Sequence, residues 1–136
     1  MKRILLSLLC FVCLLSCASC SLKYYNSYKA LMFVRSEMRD HATVSFSSFE
    51  GTYVIKLKMS GKDQEGDIHC KASLEEGELN VYYDAFGTKE LLFNLKAGES
   101  IDERLGYIES GKRVYIIIET VSPAKDGRIS VDCRKQ

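Results

Sequence analysis

The 136-residue sequence has no surplus of charge of either sign, with 19 lysines and arginines against 18 aspartates and glutamates. Without Lys2 and Arg3 the balance is 17 basic to 18 acidic residues. A near-neutral chain exerts no general pull on nucleic acid or acidic membranes. It has no G-x-S-x-G elbow, no phosphate-cradling glycine loop and no zinc-ligand pair, which argues against catalysis and against a cofactor. Histidine is scarce: His69 adjoins Cys70 on an alternating segment, which sends the two side chains to opposite faces, and His41 has no obvious ligand partner, so no metal is expected. Long apolar runs are also missing. The longest, Ile4 to Leu15, has twelve residues, against about 20 for a transmembrane helix. Hydrophobic content of 46% and charged content of 27% are those of an ordinary globular protein, and the length suits one domain behind an N-terminal segment.

That segment, MKRILLSLLCFVCLLSCASCSLKYY, has the layout of a secretory signal. Lys2 and Arg3 form a positive n-region, Ile4 to Leu15 an apolar h-region, and small residues follow. Ile4 to Leu22 carries no charge over nineteen residues, but its last third is Ser, Cys and Ala, closer to a cleavage region than to a stop-transfer segment. Leu14-Leu15-Ser16-Cys17 resembles the lipobox of bacterial lipoproteins, with Leu three before the cysteine and a small residue one before it. Leu15 departs from the usual Ser, Ala or Thr at its position. The resemblance covers about the first twenty residues. It implies a signal peptide over 1–16 and lipidation of Cys17, with the protein held on the extracytoplasmic side of a membrane. Two or three acyl chains, each methylene worth about 0.8 kcal/mol when buried, make a firm anchor. Cys20 lacks the apolar residue three before it. Ordinary cleavage after Ala18 is the alternative, and it would release an unanchored, secreted domain.

Either route exports the chain to a compartment where disulfides persist. Cys70 and Cys133, 63 positions apart, are then the expected pair, and such a bridge is worth about 4 kcal/mol in the chain-entropy model. Two buried thiols are the alternative, and Cys20 is left over.

Residues 17–41 read as a tether containing a short helix, since Tyr24, Tyr28, Leu31, Arg35 and Met38 fall near helical spacing. From Ala42 to the end the period is two. Tyr53, Ile55, Leu57 and Met59 alternate with Val54, Lys56 and Lys58. Ile68, Cys70, Ala72 and Leu74 then share a face, followed by Leu79, Val81 and Tyr83, by Leu91, Phe93 and Leu95, and by Ile129, Val131 and Cys133. Val114 to Ile118 is apolar on both faces, as a central strand requires. Turns are expected at Glu75-Glu76-Gly77 and over Ser122 to Gly127. The fold class is all-β: an antiparallel β-sandwich of about seven or eight short strands over residues 42–136, preceded by the helix.

Two patterns invite chemical readings and fail. Asp63-Gln64-Glu65-Gly66-Asp67 alternates carboxylates as a calcium loop does, but Gly comes fourth instead of sixth and Leu74 stands where a bidentate Glu is required. Ser122-Pro123-Ala124-Lys125 fits S-x-x-K, yet lies between strands of a small domain. The candidate ligand-binding residues are Tyr82 and Tyr115 with Ile117, on strand faces that could stack a sugar ring or anchor a partner. The function expected is a non-catalytic binding or structural module, anchored by lipid at the cell envelope, with an envelope protein or glycan as partner. A secreted, inhibitor-like or ligand-binding sandwich is the alternative.

Overall fold

Three strands are far longer than a sequence full of turn signals suggests. The computed structural model describes residues 24–59, 65–109 and 111–134. Its elements are β1 (Ser27–Leu31), β2 (Val34–Glu37), β3 (His41–Lys58), β4 (Glu65–Asp84), β5 (Glu90–Lys96), β6 (Ser100–Glu109) and β7 (Arg113–Asp132). All pairings are antiparallel in one sheet. The order is β1-β3-β7-β4-β5, with β2 on the first half of β3 and β6 on the first half of β4.

The sheet is folded double. The 18 residues of β3 would span roughly 60 Å if straight. Yet the N–H of Lys58 at its end donates to the carbonyl of Arg39 just before its start, at 2.8 Å. The fold line crosses all three long strands, where the ladders shift register between Phe49 and Thr52 of β3 and between Glu76 and Leu79 of β4. The parity of the buried residues changes once along each long strand, between Phe46 and Phe49 in β3, between Leu74 and Leu79 in β4 and between Ala124 and Ile129 in β7. In β3 they run Ala42, Val44, Phe46 and then Phe49, Tyr53, Ile55, Leu57; in β4, Ile68 to Leu74 on even numbers and then Leu79, Val81, Tyr83 on odd; in β7, Val114, Ile116, Ile118 and Ala124 on even numbers and then Ile129, Val131 on odd. The irregular ladder at the bend lets each strand change parity, so that its apolar residues stay inside where an unbroken strand would turn them outward.

The residues at the line fit this task. Gly51 and Gly77 have φ of +124° and +90°, conformations that glycine adopts without penalty. A Cβ on either would lie 2.2 Å from a backbone oxygen, of Ser27 and of Pro123 respectively. Pro123 itself sits within a central strand, tolerated because the ladder is interrupted there. The expected turns at Gly77 and at Ser122 to Gly127 are therefore bulges inside continuous strands. The outcome is two facing leaves around one core, and seven strands in place of a run of short ones.

The helix expected between Tyr24 and Met38 is corrected: among the described residues there is no helix, and this stretch forms β1 and β2 along the edge of β3. The exposed edge of β3 needs backbone partners, and alternation supplies an inner face. Tyr28 and Phe33 pack on Phe49 and Tyr53, with ring centroids 5.0–6.1 Å apart. Tyr53, buried in the second leaf, donates its hydroxyl to Glu37 Oε1 at 3.0 Å and accepts from Arg35 Nη1 at 3.1 Å, both on β2. These contacts staple one leaf to the other.

Candidate ligand-binding face

The outer surface of the second leaf carries three cross-strand rows. The first is Lys56, Tyr115 and Asp84; the second Val54, Ile117, Tyr82 and Leu91; the third Thr52, Glu119, Asn80 and Asn94. The three residues singled out in the sequence are thus brought to one face, with Ile117 directly opposite Tyr82 and Tyr115 one row away. Their surroundings differ from the open platform expected. Ile117 is 1% exposed, and both tyrosines are half-buried.

What covers them is the segment ahead of β1 and the β4–β5 connection. The Tyr24 ring lies 5.5 Å from that of Tyr115 at 56°, and its hydroxyl donates to Asp84 Oδ2 at 2.7 Å. Burial, with the Asp84 carboxylate next in weight, pushes the Tyr24 phenol up to about 12, so it stays a donor at physiological pH. Asp84 is 3% exposed and also accepts from the N–H of Gly87 at 2.7 Å. Lys89 holds its ammonium 4.3 Å from the centre of the Tyr82 ring and pairs with Glu119 at 2.6 Å. On the other flank of Tyr82, Asn80 donates to its hydroxyl at 3.2 Å and accepts from Asn94 at 2.8 Å.

Beside these rows lies a cleft of about 420 Å³, with Tyr24 and Tyr25 as one wall, Val54 and Ile117 at its base, and Thr52 and Glu119 as polar groups. Tyr25 is 71% exposed. An apolar floor with a free aromatic plane and a few converging polar groups is the usual make-up of a small-ligand site. None of Tyr24, Tyr25, Glu119 and Lys89 is expected at a ligand site from the sequence, where the two tyrosines fit a helical stripe; the contacts of Tyr24, Glu119 and Lys89 reach across 30 to 91 residues, for which local spacing holds no signal.

A larger depression, about 460 Å³, lies on the outer face of the first leaf, lined by Lys71, Ser73, Ser100, Asp102, Arg128 and Ser130 among others. It offers hydroxyls and charges but no aromatic plane. Next to it both histidines flank Asp132 on neighbouring strands, each with its own carboxylate partner: His41 with Asp40 at 2.8 Å and His69 with Asp102 at 2.5 Å. The His69 contact holds the Asp102 carboxyl below its usual range. Among the described residues no group of three His, Cys, Asp or Glu side chains is placed to hold a metal ion.

The other sequence candidates fall as follows. Cys70 and Cys133 are on the inner face and fully buried, as expected, but the bridge expected between them is not made; both are free thiols. Asp67, the last residue of the carboxylate run, pairs with Arg104 at 2.8 Å, while Asp63 and Gln64 lie outside the described residues, as do Cys17 and Cys20. No described helix is long and apolar enough to cross a membrane.

No protein-family model and no curated protein matches the chain. Among solved structures, a mutant family 29 carbohydrate-binding module complexed with mannohexaose is similar to it over 82% of each chain, at 16% identity and a TM-score of 0.39. A second mutant of a family 29 module is similar over 78% of this chain and 87% of its own, at 14% identity and 0.37. KdgF from Halomonas sp. follows at 11% identity and 0.29, over 85% and 93% of the two chains. Likeness this loose leaves ligand and activity to be read from the side chains.

Proposed function

We propose that the protein is a lipid-anchored, extracytoplasmic binding module whose ligand is a neutral glycan held on the outer face of the second leaf. The observation that carries the ligand class is the cleft beside the Ile117–Tyr82 row. Its aromatic wall can stack on the C–H faces of sugar rings, while Thr52, Glu119 and the Asn80–Asn94 amides supply hydroxyl partners. A near-neutral domain suits an uncharged polymer better than a polyanion. The anchor rests on the lipobox resemblance at Cys17, and export from the cytoplasm goes with it.

Two measurements test this. Intact mass of the mature protein is expected to give an N-terminal Cys17 carrying acyl chains; an unmodified N-terminus at Ser19 would remove the anchor. Affinity electrophoresis through gels holding neutral polysaccharides is expected to retard the protein. Retardation should be lost in Tyr25→Ala, since removing an aromatic stacking partner costs about 1 kcal/mol or more. Mobility unchanged in every neutral polysaccharide would refute the ligand class.

A further inference from the structure

β1 and β2 keep one register against β3 across the break between them, with Leu31 opposite Ser48 and Val34 opposite Ser45. At the break Met32 has φ of +49°, a left-handed conformation rare for a residue with a side chain. The kink lets Phe33 pack inward on Phe49 and Tyr53. It leaves Leu31, Met32 and Val34 66%, 80% and 65% exposed. Three large apolar side chains within four residues at the β1–β2 corner, held outward at a strained residue, are more than the scattered apolar exposure usual on a soluble surface. Lys29, also exposed, lies two residues before Leu31 on β1.

We propose that this corner is a second membrane contact, dipping Leu31, Met32 and Val34 into the interfacial layer of an anionic bilayer; the proposal rests on the lipid-anchored reading above. Chain length favours a bilayer as the occupant. Residues 17–23 can span at most about 25 Å, and the extended chain from Tyr24 to Met32 covers roughly the same distance. An anchor at Cys17 and the corner can therefore lie in one plane. Charge agrees, because Lys29, two residues from Leu31 on the same strand, would sit at the level of anionic headgroups. Edge-to-edge pairing with a second copy is opposed by the kink and by Lys29 and Arg35 along the same edge. Two contacts, one lipid and one protein, would fix the orientation of the module as well as its location.

The sequence contains no tryptophan, so Met32→Trp, Val34→Trp and Phe86→Trp each introduce a single fluorescent reporter. Phe86 is exposed in the β4–β5 connection, on the opposite edge of the sheet. The full chain, processed in a bacterial host, is reconstituted into phosphatidylglycerol-containing vesicles with acyl chains brominated, and both flotation and quenching are read. The protein is expected to float, with Met32→Trp and Val34→Trp quenched about twofold or more and Phe86→Trp unquenched. Flotation without quenching at both corner positions overturns the corner contact and leaves the anchor standing. Failure of the wild type to float removes both. A corner tryptophan that shifts to the blue without lipid, in proportion to protein concentration, assigns the corner to a second copy and overturns the proposal.

Discussion

Cys70 and Cys133 stand diagonally across the β4–β7 ladder: Cys70 is opposite Val131, and Cys133 follows two residues on, both without exposed surface. Diagonal neighbours in an antiparallel pair have Cα atoms about 7–8 Å apart, longer than the roughly 4.4–6.8 Å of most disulfides, which accounts for two thiols where a bridge was expected. Burial pushes each thiol from 9.0 up to about 12, and for Cys70 the neighbouring Cys133 adds to the rise. A folded-state value above the unfolded one stabilises the fold below pH 9, and that contribution is lost between pH 9 and about 12. Each thiol should therefore cost about 1.4 kcal/mol per pH unit in that window. Urea midpoints are expected to fall across it, and to fall less in Cys70→Ala/Cys133→Ala. Mass mapping of the unreduced, denatured protein should find both cysteines alkylated; a linked Cys70–Cys133 peptide would contradict the thiol state.

The fold line predicts a graded series of glycine substitutions. Gly77→Ala must accommodate a Cβ 2.2 Å from the Pro123 oxygen at a φ of +90°, so the strands have to separate at the bend. The expected loss is about 2–4 kcal/mol. Gly98→Ala also has positive φ but meets nothing within 4 Å, and only the left-handed conformation is charged, about 1–2 kcal/mol. Equal losses at the two positions would show that the close approach at Gly77 contributes nothing.

Tyr53→Phe tests the staple between the leaves. It removes a hydroxyl that meets Arg35 and Glu37 while keeping the ring that packs on Phe33. The loss should be about 1–2 kcal/mol, with hydrogen exchange quickening first in β2, whose four residues are all exposed. Uniform exchange behaviour across β2 and β3 would count against the staple.

Period-two reading placed Ile68 to Leu74, Leu79 to Tyr83 and Ile129 to Cys133 on inward faces, and these residues are buried. The failures share a cause. Gly77 and Pro123 look like turn residues because a bulge and a turn make the same local demand, positive φ or a missing donor; what separates them is a partner strand dozens of residues away. The same cause exposes Leu91, expected inside. A register shift between Val81 and Tyr82 puts Leu91 outside at 55% exposure and buries Leu92 in its place. Between Tyr24 and Met38 the apolar spacing fits a helix about as well as it fits a strand with one kink, and only the open edge of β3 decides between them. That Tyr82 points outward followed from strand parity, while its pairing with Ile117 and the cover provided by Tyr24 and Lys89 are tertiary.

The cover itself makes the ligand face testable. Lys89 bridges the Tyr82 ring and Glu119, so in the free protein this ring has one face occupied by a cation. If a sugar ring stacks on Tyr82, ligand must displace Lys89, and cation–π attraction of about 0.5–1 kcal/mol at an exposed site opposes it. Lys89→Ala should then tighten glycan binding by about twofold to fivefold, the equivalent of that energy. Tyr82→Ala should weaken it by about tenfold, and the double variant should behave as Tyr82→Ala, because the lysine acts only through the ring. Isothermal titration of the four proteins with one neutral oligosaccharide reads the whole cycle. Weakened binding in Lys89→Ala with Tyr82→Ala unaffected would move the site off this ring and onto the charged pair.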